Sequence, residues 1–187
     1  CALPISVTWT YPDYELVNSG TINFESSKKS TAIYVNSARA KNNGTIKVGK
    51  YSTAIYGIYK DKYYEIENGT PVLKQTEKYK GAPTTPDPNK LVVHTSSSSN
   101  ISLDQNSTGM YLVNAENLNT AAGGTIQSAT GATNNVGIYA INGKVDVPTT
   151  GTSAEIAEAN AYNGNTNNFK SLTMTNKSNI TLGNGSV

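Results

Sequence analysis

Apolar and polar residues alternate along short stretches of this chain, and the stretches recur. In residues 44–48, Gly-Thr-Ile-Lys-Val, an extended backbone turns Ile46 and Val48 to one side and Thr45 and Lys47 to the other. The same alternation pairs Ile22 with Phe24, Ile101 with Leu103, Ile126 with Ser128, and Ile180 with Leu182. A second unit closes on Ala-Ile-Tyr, Gly-Met-Tyr or Gly-Ile-Tyr. It puts Ile33, Ile55, Met110 and Ile138 inward and lines up Tyr34, Tyr56, Tyr111 and Tyr139 as an aromatic ladder. Ile22 and Ile46 are 24 residues apart, and Ile101 and Ile126 are 25 apart, a period that suits one coil of a solenoid. A single coil cannot bury its apolar side, whereas stacked coils give each strand two partners and build one continuous core. The pattern therefore predicts an all-β fold, a parallel β-helix with two strands per coil. Coils fall at about 18–56, 100–139 and 176–187, the last stopping at Val187 before its Ile-Tyr.

Turn chemistry supports this reading. Gly20, Gly44 and Gly124 precede the first strand of their coils, where positive φ is expected, and Asn18, Asn42, Asn43 and Asn179 stand nearby as the next most tolerant residues.

Two stretches break the pattern, at about 57–99 and 140–175. In the first, Lys62–Thr76 brackets Asn68-Gly69 with apolar residues and predicts a hairpin, and Pro-rich 82–89 predicts a stiff connector. In the second, Thr152 followed three residues later by Glu155 is a capping box that predicts a short helix ending near Asn163-Gly164. Insertions on a solenoid tend to share one face, often the binding face. Tyr59, Lys62, Tyr63, Tyr64, Tyr79 and Lys80 combine flat aromatic surface with polar tips and are the candidate ligand-binding residues. The alternative is a hairpin that folds back and buries its tyrosines. The opening segment carries Trp9, Tyr11 and Tyr14, expected to cover an end of the stack.

Composition narrows the choice of function. Twelve Tyr against two Phe and one Trp, amid much Asn, Gly, Ser and Thr, suits short strands and tight turns and not helix packing. The net charge of +2 offers little field for nucleic acid. It is nonetheless uneven, with 12 basic and 8 acidic residues in 1–98 against 3 and 5 in 99–187. Solvated lysines on exposed coil edges account for that excess by discouraging pairing between molecules. Cys1 is alone, so no internal disulfide forms, and no apolar run is long enough to span a bilayer.

His94 is the sole histidine, which leaves no zinc set and no second histidine for a nucleophile pair; it reads as structural. Glu65 with Glu67, and Glu155 with Glu158, are acidic pairs of the kind that exposed elements carry as solvated charge. Polysaccharide-cleaving β-helices cluster aspartates for calcium and use a basic proton abstractor. Here five Asp are widely separated and Arg39 is the one arginine, so an enzyme is not expected, nor a metal or cofactor. Asn43, Asn68, Asn100, Asn106 and Asn179 head Asn-x-Ser/Thr triplets that this composition produces by chance.

The phrases NNGTIKVGKYSTAIY, SNISLDQNSTGMY, GATNNVGIYA and KSNITLGNGSV resemble the passenger repeats of the large fusobacterial autotransporter adhesins, type V secreted outer-membrane proteins. The resemblance covers most of 18–56 and 100–139 and the start of a coil after Asn176. It implies a right-handed β-helical stalk on the surface of an anaerobic Gram-negative cell, or secreted, whose loops attach to host cells or to other bacteria. Members of that group include adhesins that recognise galactose or N-acetylgalactosamine and engage inhibitory immune receptors, and arginine-inhibitable adhesins of coaggregation. The implied partners are a host glycan, a host protein receptor or partner bacteria, with membrane attachment through a barrel outside this chain. No catalytic or binding residue carries over from the resemblance. A signal peptide and a membrane barrel are not among these residues, so the expectation is a segment of a passenger, binding through its insertions or serving as a spacer.

Overall fold

The computed structural model describes residues 5–7, 15–59, 62–67, 70–75, 91–115, 117–120, 124–145, 147, 149–164 and 173–187. Of these, 5–7, 62–67, 70–75, 117–120 and 173–174 are described by backbone alone. Three parallel five-stranded sheets form the walls of a β-helix. The tyrosine sheet holds β1 (Ile5–Val7), β4 (Thr31–Asn36), β7 (Thr53–Ile58), β12 (Thr108–Val113) and β15 (Val136–Ile141). The middle sheet holds β2 (Glu15–Asn18), β5 (Arg39–Asn42), β10 (Val92–Thr95), β13 (Asn117–Thr120) and β16 (Thr173–Thr175). The isoleucine sheet holds β3 (Thr21–Phe24), β6 (Thr45–Val48), β11 (Asn100–Leu103), β14 (Thr125–Ser128) and β17 (Asn179–Thr181). Each coil visits the three sheets in that order.

The register follows the repeat. Ile22, Ile46, Ile101, Ile126 and Ile180 stand one above another, as do Ile33, Ile55, Met110 and Ile138. Ile46, Ile101, Ile126, Ile55 and Met110 are fully buried with Val48, Leu103 and Leu112, forming one core along the axis. Removing each such side chain from water contributes about 1.5–3 kcal/mol, which is why stacked coils hold where one alone would not.

Three features differ from the sequence reading. Each coil has three strands, not two: the middle sheet draws on Glu-Leu-Val-Asn, Arg-Ala-Lys-Asn, Val-Val-His-Thr, Asn-Leu-Asn-Thr and Thr-Met-Thr, which share no motif. Consequently Ile58, Tyr59 and Leu91–Thr95, assigned above to the first insertion, belong to the coil, as do Ile141 and Thr173–Thr175 at the borders of the second. Neither Gly20 nor Gly44 has positive φ. At Gly44 the reason for glycine is close approach, since a Cβ there would sit 2.0 Å from the Gly20 carbonyl oxygen of the coil below. Asn18 and Asn42 likewise work through their side chains. Asn18 donates to the Asn42 Oδ1 at 2.8 Å, and buried Asn42 donates to Ser99 Oγ at 2.7 Å and to the Gly44 carbonyl at 3.1 Å.

A second polar ladder runs beside the tyrosine sheet. The backbone N–H of Ser30 donates to Ser52 Oγ, that of Ser52 to Ser107 Oγ, that of Ser107 to Asn135 Oδ1, and that of Asn135 to Ser186 Oγ. Ser52, Ser107 and Asn135 are buried, so each turn's polar backbone is satisfied by the next coil and the register between coils is pinned.

Candidate binding face

The corner between the tyrosine and middle sheets is where both insertions leave the solenoid. Ser37, Tyr59 and Asn114 occupy the same place in successive coils, their N–H groups donating to the carbonyls of Ile58, Val113 and Ile141. In the first coil Ser37-Ala38 turns the corner directly into β5. In the next, residues 60–90 intervene between Tyr59 and Leu91, and two coils on, residues 142–172 intervene between Ile141 and Thr173. With rungs about 4.8 Å apart, the two exits lie about 10 Å apart along the stack.

The first insertion contains the expected hairpin, β8 (Lys62–Glu67) paired antiparallel with β9 (Thr70–Gln75), Glu67 opposite Thr70 across Asn68-Gly69. The second contains the expected helix α1 (Ser153–Gly164). Its capping box is formed: Glu155 Oε2 accepts from the Thr152 N–H at 2.7 Å and from its hydroxyl at 2.9 Å, while the Glu155 N–H donates to Thr152 Oγ1 at 3.3 Å. These bonds, the backbone one first, hold the Glu155 carboxyl below its ordinary range.

Helix α1 is anchored to the coils by Tyr162. Its buried hydroxyl donates to the Tyr59 carbonyl at 2.8 Å and accepts from Asn114 Nδ2. Asn114 in turn holds the start of the second insertion, accepting from the Gly143 N–H at 2.8 Å and donating to the Gly143 carbonyl at 3.0 Å. Asn163 and Val145 exchange two bonds of 2.8 Å, tying the helix end to the strand exit. The helix thus reaches back over the uninserted corner at Asn114 to the exit of the first insertion, where it lies against β8. Burial pushes the Tyr162 phenol up to about 12.

The tyrosine ladder is continuous, with ring centroids 5.4 Å apart for Tyr34–Tyr56, 5.3 Å for Tyr56–Tyr111 and 4.9 Å for Tyr111–Tyr139. Tyr34, Tyr56 and Tyr111 are partly buried and pack with Ile58, Val113 and Tyr162. Desolvation raises the Tyr56 phenol well above its ordinary value, and the neighbouring tyrosines add to the shift. Tyr139, 44% exposed, is the ladder's open rung. A ladder largely covered in this way is part of the wall and the seat of α1, not a bare stacking platform.

Of the six candidate ligand-binding residues, Tyr59 is buried in the main core, so its ring packs inside the solenoid and is not offered at the surface. Lys62, Tyr63 and Tyr64 lie on β8, where only the backbone is described. Tyr79 and Lys80 lie outside the described residues, as do Trp9, Tyr11 and Tyr14. His94 sits on β10, in register between Lys41 and Asn119. Tyr162 and Asn114, which join the second insertion to the coil, were not singled out by the sequence. The one cue was a tyrosine two residues before the helix end, on a helix with little other apolar side. Among the described residues no group of three or more His, Cys, Asp or Glu is placed to hold a metal ion, and no helix is long and apolar enough to cross a membrane. Comparison with known proteins finds no family model, no curated protein and no solved structure that matches the chain.

Proposed function

We propose that this chain is a non-enzymatic adhesin segment, part of the surface-exposed or secreted passenger of a fusobacterial-type autotransporter, whose two insertions form a recognition face for a host glycan, a host receptor or partner bacteria. The observation that carries the reading is the placement of both insertions at one corner of the β-helix, joined by α1 against β8. A spacer gains nothing from interrupting its own stacking twice at one corner and building a helix to tie the interruptions together. The repeat phrases point to the same family, and the galactose-type sugars its members recognise are the first ligands to try.

The coil geometry defines the test. Tyr59 and Leu91 stand at the register of Ser37 and Ala38 in the coil below, so joining them removes residues 60–90 without cutting a coil strand. A glycan array and a cell-attachment assay are run on the intact and shortened chains, with circular dichroism to verify the β-helix. Attachment lost with the fold retained supports recognition by the first insertion, and Tyr63→Ala with Tyr64→Ala localises it. Attachment unchanged in the shortened chain overturns that assignment and makes these coils a spacer.

A further inference from the structure

At the corner leading from the isoleucine sheet into the tyrosine sheet, each of five coils places one left-handed residue at the same register position, although the turns differ in length. The left-handed residue is Lys29, Tyr51, Asn106, Asn134 and Gly185 in turn, with φ of 53°, 59°, 58°, 57° and 70°. The N–H of each of the first four donates to the carbonyl just before its counterpart in the next coil, those of Lys50, Gln105, Thr133 and Asn184. Three coils use asparagine or glycine, which tolerate this conformation best. The first two use lysine and tyrosine, which bear strain that the other coils avoid. Both side chains are exposed, Tyr51 by 56%, and exposed Lys28 and Lys50 flank them. The acids on the first three of these turns are Glu25, paired with Lys47 at 3.5 Å, and Asp104, whose Oδ1 accepts from the Gln105 N–H at 2.7 Å, leaving the three lysines in excess. Adjacent coils thus present three lysines and one tyrosine at a corner free of insertions, where the cheaper residues would have served the fold.

We propose that this corner binds an acidic polysaccharide, with Lys28, Lys29 and Lys50 holding sulfate or carboxylate groups and Tyr51 supplying a flat face for a sugar ring. The cations match an anionic polymer, and an aromatic ring with a polar tip suits the apolar face of a pyranose. The site lies away from the corner that carries the insertions and does not rest on them.

The intact chain is tested on immobilised sulfated glycosaminoglycan, polysialic acid, neutral galactan and double-stranded DNA at low salt. The decisive variant is Lys29→Asn with Tyr51→Asn, which installs the residue other coils use at this turn. Binding to one or both acidic polysaccharides is expected to weaken about tenfold or more while the thermal midpoint rises, and Lys28→Ala with Lys50→Ala is expected to weaken it further and flatten its salt dependence. The sulfated and carboxylated arms identify the anion. Failure to bind either polysaccharide, equal binding by the asparagine variant, or DNA binding of equal strength overturns the site. Retention of this binding after removal of residues 60–90 separates it from recognition by the insertions.

Discussion

Tyr162→Phe removes a single oxygen and leaves the ring in place. That oxygen is the junction of the second insertion with two coils, donating to the Tyr59 carbonyl at 2.8 Å and accepting from Asn114, with all three residues buried. Without it, the Tyr59 carbonyl loses this partner. Asn114 keeps its bonds to Gly143, so the loss there is smaller. A buried polar group left unsatisfied costs about 1–3 kcal/mol, which puts the two losses together at about 2–4 kcal/mol. A helix of 12 residues is marginal by itself, so the cost falls on docking of α1 and not on the coils. Native-state hydrogen exchange reads this directly. Protection of the α1 amides is expected to fall by about 30-fold to 1,000-fold, while amides of β11 and β12 in the coil interior stay unchanged. The raised phenol gives a second readout. Because folding raises the Tyr162 pKa to about 12, its contribution is complete below the ordinary tyrosine value near 10 and is lost as pH climbs through 12. Docking of the wild-type helix is therefore expected to weaken as pH climbs from about 10 to about 12, towards the level that the phenylalanine variant shows at every pH, whereas the variant has no such step from this position, as helical circular dichroism would show. Unchanged α1 protection in Tyr162→Phe would refute the assignment of this hydroxyl as the anchor.

Other perturbations address the solenoid itself. Ile101→Ala opens a cavity midway along the isoleucine column and is expected to cost about 2–5 kcal/mol by denaturant melting; a loss under 1 kcal/mol would mean that the column is not tightly packed. Gly44→Ala drives a Cβ into the Gly20 carbonyl and is expected to cost about 3 kcal/mol or more, although the backbone there is not left-handed; a stability equal to wild type would show that the coils can part at that point. Ser107→Ala breaks the polar ladder, depriving the Ser52 N–H and the Gly49 carbonyl of a buried partner, for about 1–3 kcal/mol in the same assay. Thr152→Ala removes the cap of α1 and is expected to lower its helical exchange protection by about 1 kcal/mol. Glu155 has a lowered pKa in the folded chain, so its part of the cap is present above the ordinary carboxylate range and is lost as pH falls through that range and below, which amide protection measured across acid pH would reveal.

What the sequence determined by itself is whatever has a local period or a local partner. Ile46 and Val48 alternate with Thr45 and Lys47 because a strand does, and that alternation, recurring at 24 or 25 residues, is enough to stack Ile22, Ile46, Ile101, Ile126 and Ile180 and to lay the tyrosines in a ladder. Asn68-Gly69 and the Thr152–Glu155 box act within a few residues, so the hairpin and the helix were legible too. The middle sheet was not, because its strands hold their places by pairing with the coils above and below. Val92–Thr95 reads as a strand-like run locally, yet its place between Arg39–Asn42 and Asn117–Thr120 comes from pairing with them and not from a repeated motif. Tertiary structure alone decided that Gly44 is glycine for close approach, that Tyr59 is buried, and that lysine, tyrosine, asparagine and glycine take the same left-handed position in five successive coils. It also brought the two insertions together, α1 lying against β8 and tied by a bond from Tyr162 to Tyr59 across 103 residues at the exit of the first insertion. Such contacts leave no periodic trace, because they depend on where a stacked coil delivers the chain and not on the residues beside it.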